Sequence, residues 1–100
     1  MKKSYVYFVT NKNNSVIYIG ITSDLIKRVY QHKTKAFKNA FTSKYNCDKL
    51  VYFEEFIDVN EAITREKQLK AGNRKRKEDL IYSTNPEWED LSEGWLFYFD

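Results

Sequence analysis

The chain has 100 residues, of which 42% are hydrophobic and 31% charged, and its formal net charge is +3. This length fits one compact domain with a single modest core. No apolar stretch approaches the roughly 18 residues of a membrane span, no signal peptide is visible, and the single cysteine, Cys47, excludes an internal disulfide. We therefore expect a cytoplasmic protein without a membrane-spanning segment.

The charge is distributed unevenly along the chain. All 17 lysines and arginines precede residue 78, whereas five of the 14 acidic residues follow residue 86. Residues 1–86 thus carry 17 positive and nine negative charges, a net of +8. This positive charge suits binding to a polyanion such as a nucleic acid, although in many small basic domains the charge serves only to keep the protein soluble. We expect residues 1–86 to form the domain and the acidic, aromatic tail of residues 87–100 to pack on it.

The first half of the chain predicts a hairpin and a later strand. Residues 4–10 and 16–21 are rich in aromatic and β-branched side chains, and the polar residues 11–15 between them predict a turn. A connection of this length makes the two strands an antiparallel hairpin. Residues 49–57 have the same composition and predict a third strand.

A helix is predicted to follow the hairpin and to end near Lys35. Thr22 or Ser23 can accept a hydrogen bond from a free amide of its first turn. Arg28 and His32 are four residues apart, so they share one face of this helix.

Residues 36–48 separate this helix from the third strand. They are polar and basic, with Phe37, Phe41 and Tyr45 inserted, and predict either a long loop or a short helix. The three rings could stack on unpaired bases, but we expect them to pack within the domain.

Two further helices are predicted after the third strand. The first is capped by Asp58 or Asn60 and ends near residues 72–73. The other should run over about residues 75–82, before Asn85 and the following proline end it.

Taken in order, these segments resemble the motifs of the GIY-YIG endonuclease superfamily. Tyr5-Val6-Tyr7 stands at the first motif, and Tyr18-Ile19-Gly20 matches the second letter for letter. Asp24-Leu25, followed by Arg28 and His32, resembles the family's helix. The resemblance implies an α/β fold of the α+β type, in which helices flank a three-stranded antiparallel sheet.

Other segments are similar to the short, stand-alone bacterial members of that superfamily, namely residues 41–45, 65–70 and 85–91. Two positions depart from the pattern. The first motif begins with Tyr5 rather than glycine, and Ile21 stands where some members carry a lysine.

The resemblance implies a metal-dependent DNA endonuclease that hydrolyses phosphodiester bonds, with DNA repair or recombination as its setting. Glu66 then becomes the metal ligand, because a hard carboxylate suits Mg²⁺ or Mn²⁺. From spacing alone, Glu66 is a surface residue paired with Lys70 at i+4. Arg28 would clamp the phosphate, since its planar guanidinium matches phosphate oxygens.

The resemblance also places both motif tyrosines at the reacting centre. Tyr7 or Tyr18, with or without His32, would activate the attacking water, and which tyrosine acts stays open. Packing is the alternative role for all three residues. Gly20 would permit a close approach of backbone or substrate. The resemblance also implies that Asn85 lies near the site, although Asn85 could simply end a helix.

Basic side chains around these motifs are the candidates for binding DNA, whether branched or single-stranded. The candidates are Lys33, Lys35, Lys44, Lys70, Arg74 and Arg76. Two alternatives to the endonuclease remain. One is a nucleic-acid-binding domain of the same fold with weak or no cleavage, and the other is a protein-interaction module, which would use the tail aromatics Trp88, Trp95, Phe97, Tyr98 and Phe99. A homodimer or a protein partner is also left open.

Overall fold

The computed structural model describes residues 2–97 and contains one antiparallel sheet. Its strands are β1 (Ser4–Thr10), β2 (Ile17–Thr22) and β3 (Lys49–Phe56), in the order β2-β1-β3. Its helices are α1 (Leu25–Thr34), α2 (Phe41–Lys44), α3 (Val59–Ala71) and α4 (Arg74–Thr84). The predicted three-stranded antiparallel sheet with flanking helices is thus confirmed. No helix within the described range has the length and apolar character that crossing a bilayer requires.

The central strand β1 is buried on both faces. Val6 and Phe8 point to the side that α3 and α4 cover, whereas Tyr7 and Val9 point to the side that α1 covers. The strand therefore appears in the sequence as one nearly unbroken run of aromatic and β-branched residues. The edge strand β2 lies beside it and pairs antiparallel with it.

The helix caps explain where α1, α3 and α4 begin. Asp24, not Thr22 or Ser23 as predicted, caps α1, because its carboxylate accepts a hydrogen bond from the amide of Lys27 at 3.1 Å. The Thr22 hydroxyl instead accepts one from the amide of Asp24 at 3.0 Å. The helix ends before Lys35, which adopts a left-handed conformation.

The later helices follow the prediction more closely. Asp58, one of the two proposed caps, accepts a hydrogen bond from the amide of Asn60 at 2.8 Å and starts α3. Asn73 caps α4 in the same way. Residues 36–48 contain the short helix α2, which was one of the two alternatives for that segment.

Asn85 fastens the chain after α4 to the sheet. Its buried amide nitrogen donates to the carbonyl oxygens of Val51 at 3.0 Å and Glu89 at 2.8 Å. Its carbonyl oxygen accepts a hydrogen bond from the amide of Glu89 at 3.0 Å. These bonds give Asn85 a structural role between β3 and the tail.

Asp90 makes the second attachment. Its carboxylate accepts a hydrogen bond from the amide of Leu50 at 3.2 Å and pairs with the Lys33 ammonium at 2.6 Å. The amide of Leu91 then donates to the carbonyl oxygen of Leu50 at 2.7 Å. The tail is therefore held to both β3 and α1.

The tail aromatics cover this domain. Trp88 is buried on the α3 and α4 side, while Trp95 and Phe97 pack against the core on the α1 side. Tyr98 and Phe99 lie outside the described residues. The three described rings therefore pack on the domain itself, which leaves less of their surface available to a protein partner.

Replacing Asn85 by alanine should lower the free energy of unfolding by about 2–3 kcal/mol, because buried backbone groups of Val51 and Glu89 lose their partners. Urea denaturation followed by circular dichroism measures this change. Asn39→Ala is the matched control, since Asn39 is exposed, and it should change stability by less than about 0.5 kcal/mol. Equal stability of the two variants would contradict the attachment role.

Candidate active site

The site begins where the Tyr7 side chain crosses the edge strand. Tyr7 and Gly20 are paired between β1 and β2. A Cβ atom at position 20 would overlap the phenol oxygen and its ζ carbon. The close approach expected at Gly20 is thus made by the Tyr7 ring, which reaches towards the outer edge of the sheet because no side chain blocks it.

A hydrogen-bonded chain extends from this phenol into α1 and α2. The Tyr7 hydroxyl lies 2.8 Å from Nε2 of His32, and Nδ1 of His32 lies 3.1 Å from the Thr42 hydroxyl. A neutral imidazole has one donor and one acceptor nitrogen, and a hydroxyl can take either role. Thr42 therefore holds the ring in place in both tautomers. Its role was not foreseen, since it lies on a helix too short to show periodicity.

Electrostatics connects this pair with the other predicted residues. Burial is the main reason that the pKa of the Tyr7 phenol lies well above its ordinary value; Tyr18 and Glu66 raise it further, and Arg28 opposes them. Burial first, and then the positive charge of Arg28, lowers the pKa of His32 to about 4. Both members of the pair are therefore neutral at pH 7, and the charges of Arg28 and Glu66 reach the same phenol.

Glu66 and Lys70 approach the site from α3. Their carboxylate and ammonium groups are 3.2 Å apart, so the i+4 pair expected from spacing is present. The ammonium also lies 6.0 Å from the centre of the Tyr18 ring on β2. The helix α3 packs against β1 and β2 and so places this pair beside the motif tyrosines.

The residues present fit a metal ion only with help from water and substrate. Within residues 2–97, no group of three or more histidine, cysteine or acidic side chains could hold an ion alone. Mg²⁺, however, usually keeps several waters and is held by one or two carboxylates together with substrate phosphates. Glu66, with 16% of its side chain exposed, suits that arrangement.

Cys47 is excluded from the chemistry. It is fully buried, and burial, together with Asp48, raises the pKa of its thiol to about 11. Both ring nitrogens of His32 are engaged by Tyr7 and Thr42, so the histidine does not activate this thiol.

The structure gives three of the candidate DNA-binding side chains partners within the chain, one of which is Lys70, paired with Glu66. Lys33 bonds to Asp90, and Arg74 pairs with Glu78 at 2.8 Å and donates to the carbonyl oxygen of Ser15 at 2.9 Å. Lys33 and Arg74 therefore also hold parts of the fold together, and their contact with DNA stays a prediction. Among the others, Lys44, Lys70 and Arg76 are exposed and Lys35 is partly exposed.

Known proteins resemble the chain over most of its length. Residues 3–79 match the family model of the GIY-YIG catalytic domain. The chain is 39% identical over 84 residues to the UPF0213 protein of Clostridium perfringens, covering 80% of this chain and 84% of that protein. It is 38% identical over 82 residues to the UPF0213 protein of Staphylococcus haemolyticus, covering 81% and 96%.

A solved structure shows the same similarity. The solution NMR structure of the UPF0213 protein BH0048 from Bacillus halodurans is 25% identical in sequence, with a TM-score of 0.57 over 95% of this chain and 99% of that one. The motif-based resemblance and the predicted fold are therefore confirmed.

Gly20→Ala should destabilise the protein by about 1–3 kcal/mol, because the added methyl group must displace the Tyr7 ring from the closely packed core. Thermal and urea denaturation measure the effect. Gly72→Ala is the control: a Cβ there would meet its nearest atoms at 3.4 Å, and φ is −74°. A Gly20→Ala protein as stable as Gly72→Ala would contradict the overlap.

Stability should also depend on pH through His32. Its pKa in the folded protein is about 4, below the ordinary 6.5, so the unfolded chain binds this proton more tightly. The contribution of His32 to the free energy of unfolding is therefore fully present above pH 6.5 and is lost as the pH falls towards 4. Relative to the non-titrating His32→Gln variant, wild type should lose roughly 1–3 kcal/mol between pH 7 and pH 4. Parallel stability curves would show that His32 titrates normally.

Proposed function

We propose that this chain, which belongs to the GIY-YIG family, is a divalent-metal-dependent DNA endonuclease. The observation that carries the proposal is the hydrogen bond between Tyr7 and His32, at a phenol that also lies within the electrostatic range of Tyr18, Arg28 and Glu66. Phosphodiester hydrolysis needs an activated water and stabilisation of the negative charge on the phosphate oxygens. These side chains supply both.

In this proposal, Tyr7 and His32 act together as the base. A phenol that stays protonated at pH 7 is itself a poor base. The neutral imidazole has a lone pair on Nε2, but burial and Arg28 weaken its proton affinity, so it acts as the proton acceptor only when a bound phosphate offsets the charge of Arg28. As the water oxygen bonds to phosphorus, Tyr7 takes a proton from the water and passes its own to Nε2 of His32. The bond between phosphorus and the leaving oxygen breaks in the same displacement, and that oxygen leaves as an alkoxide that takes a proton from solvent. The tautomer required has the Nδ1 hydrogen donated to the hydroxyl of Thr42.

The hydrogen bond to His32 favours Tyr7 over Tyr18 as the first proton acceptor. Tyr18 is partly exposed, and its ring contacts His32, Phe41 and Lys70. We assign Tyr18 to orienting the substrate beside the reacting phosphate.

Positive charge at the phosphate comes from three sources. Arg28 contributes its fixed guanidinium charge. Lys70, beside Tyr18 and Glu66, contributes an ammonium group. It thereby supplies a positive charge that Ile21, in place of a lysine, does not. A Mg²⁺ or Mn²⁺ ion held by Glu66 would neutralise further charge on the phosphate oxygens.

Ile21 favours a second candidate function, a DNA-binding domain with weak or no cleavage. This chain has isoleucine where some family members carry a lysine. The Ile21 side chain packs against the core on the α3 and α4 side and offers no positive charge to a phosphate. A cleavage assay distinguishes the two functions.

The wild-type protein should cleave labelled DNA only when Mg²⁺ or Mn²⁺ is present. Single-stranded, duplex, nicked and branched substrates should be compared, with chelator as the metal-free control. Glu66→Gln and Arg28→Ala should each lower the rate by at least about 100-fold, because each removes charge stabilisation. Tyr7→Phe and His32→Gln should cost about 100- to 1000-fold through the lost proton transfer.

Glu61→Gln is the matched control for Glu66→Gln. It lies on the same helix but is exposed and lines a different hollow, with Phe56 and Arg65, so its activity should stay within about twofold of wild type. DNA binding without cleavage by the wild-type protein would favour the second function. Full activity in Glu66→Gln would overturn the assignment of the metal ligand.

A further inference from the structure

Three aromatic rings form a continuous row that starts at the candidate active site. The rings of Tyr18 and Phe41 are stacked, with centres 6.1 Å apart and planes 28° apart. The rings of Phe41 and Tyr45 follow, with centres 4.6 Å apart and an angle of 38°. We call Tyr18, Phe41 and Tyr45 the aromatic row.

The outer part of this row is open to solvent. Phe41 is 49% exposed and Tyr45 is 51% exposed, so the expectation that these rings pack within the domain is only half met. Scattered apolar residues are normal on a protein surface. A contiguous group that extends from Tyr18, at the candidate active site, is a candidate for contact with a ligand.

Positive and polar groups border the row. Lys70 and Lys77 share with Tyr18 and Phe41 a shallow hollow of about 380 Å³ along β2. At the other end, Tyr45 borders a second hollow of about 430 Å³, where Lys12 and Asn46 are exposed. Ammonium groups beside exposed rings match a ligand that presents flat bases and phosphates in alternation.

We propose that the aromatic row binds unpaired bases next to the phosphate that is cut, so that the substrate is single-stranded on that side of the cut. This inference rests on the proposed endonuclease function and names its substrate class. In duplex DNA the flat faces of the bases are covered by their neighbours, whereas an unpaired base offers its face to a ring. Because Tyr18 belongs both to the row and to the reacting centre, bases on Phe41 and Tyr45 belong to the adjoining nucleotides.

Tyr45 provides the decisive variant. Its described ring contact is with Phe41, so replacing it does not displace Tyr18 directly. Phe37 provides the control, because it lies in the same segment and is 57% exposed, and it has no ring contact within the described residues. Phe41→Leu tests the centre of the row, and Tyr45→Phe retains the ring but removes the hydroxyl.

The experiment measures binding without metal, so that no cleavage occurs. Fluorescence anisotropy should compare one labelled sequence as a single strand and as a duplex, at fixed low salt. We expect Phe41→Leu and Tyr45→Leu each to weaken single-strand binding by about 5- to 100-fold, while duplex binding changes less than about twofold. Tyr45→Phe and Phe37→Leu should bind both DNAs as wild type does.

A fluorescent base analogue in the strand gives a second readout. Stacking on a ring should quench 2-aminopurine, and the quenching should decrease in Tyr45→Leu. The inference is overturned if Tyr45→Leu and Phe37→Leu behave alike, or if single-strand and duplex binding weaken equally. Absence of cleavage with metal would count against the proposed function alone, since the binding result is obtained independently.

Discussion

The contact between the Tyr7 ring and Gly20 is the constraint on which the rest of the site depends. Tyr7 belongs to the central strand, where side chains are normally sealed between the sheet and a helix. Because position 20 has no Cβ, the phenol lies across the edge strand β2 and meets His32 of α1. The same edge is the part of the sheet that Lys70 of α3 reaches. Residues of β2, α1 and α3 are therefore brought to the same edge of the sheet.

Burial keeps the Tyr7 phenol and the His32 imidazole neutral, because placing a charge on either buried group would cost free energy. The positive charge of Arg28 lowers the pKa of both Tyr7 and His32, and so works against protonation of the imidazole. A bound phosphate beside Arg28 would offset that charge and strengthen the proton affinity of His32. In the proposed reaction, the base thus becomes more effective only once substrate is present, and an imidazolium is not formed in the empty site.

The sequence predicted the features of the fold and site that depend on residues close together in the chain. Aromatic and β-branched composition identified the strands, and the order of the motif residues identified Tyr7, Arg28 and His32 as candidates. Partners distant in the chain have no such local signal: Lys33 is 57 residues from Asp90, and Arg74 is 59 from Ser15. For the same reason, the structural bonds of Asn85 were not foreseen. The cap of α1 was misplaced because three adjacent residues all carry acceptor oxygens, and the end of β2 decides among them.

The short helix α2 links the acid–base pair to the surface proposed to bind the unpaired strand. Consecutive residues of a helix point about 100° apart, so Thr42 faces inward to His32 while Phe41 faces outward along Tyr18. The helix is anchored by Ser43, whose hydroxyl donates to the carbonyl oxygen of Phe37 at 2.8 Å. Bases that stack on Phe41 would press on the same turn that orients the His32 ring. Binding energy from nucleotides beside the cut would then be used to hold the base in its reactive geometry, as effective catalysis requires of contacts remote from the reacting bond.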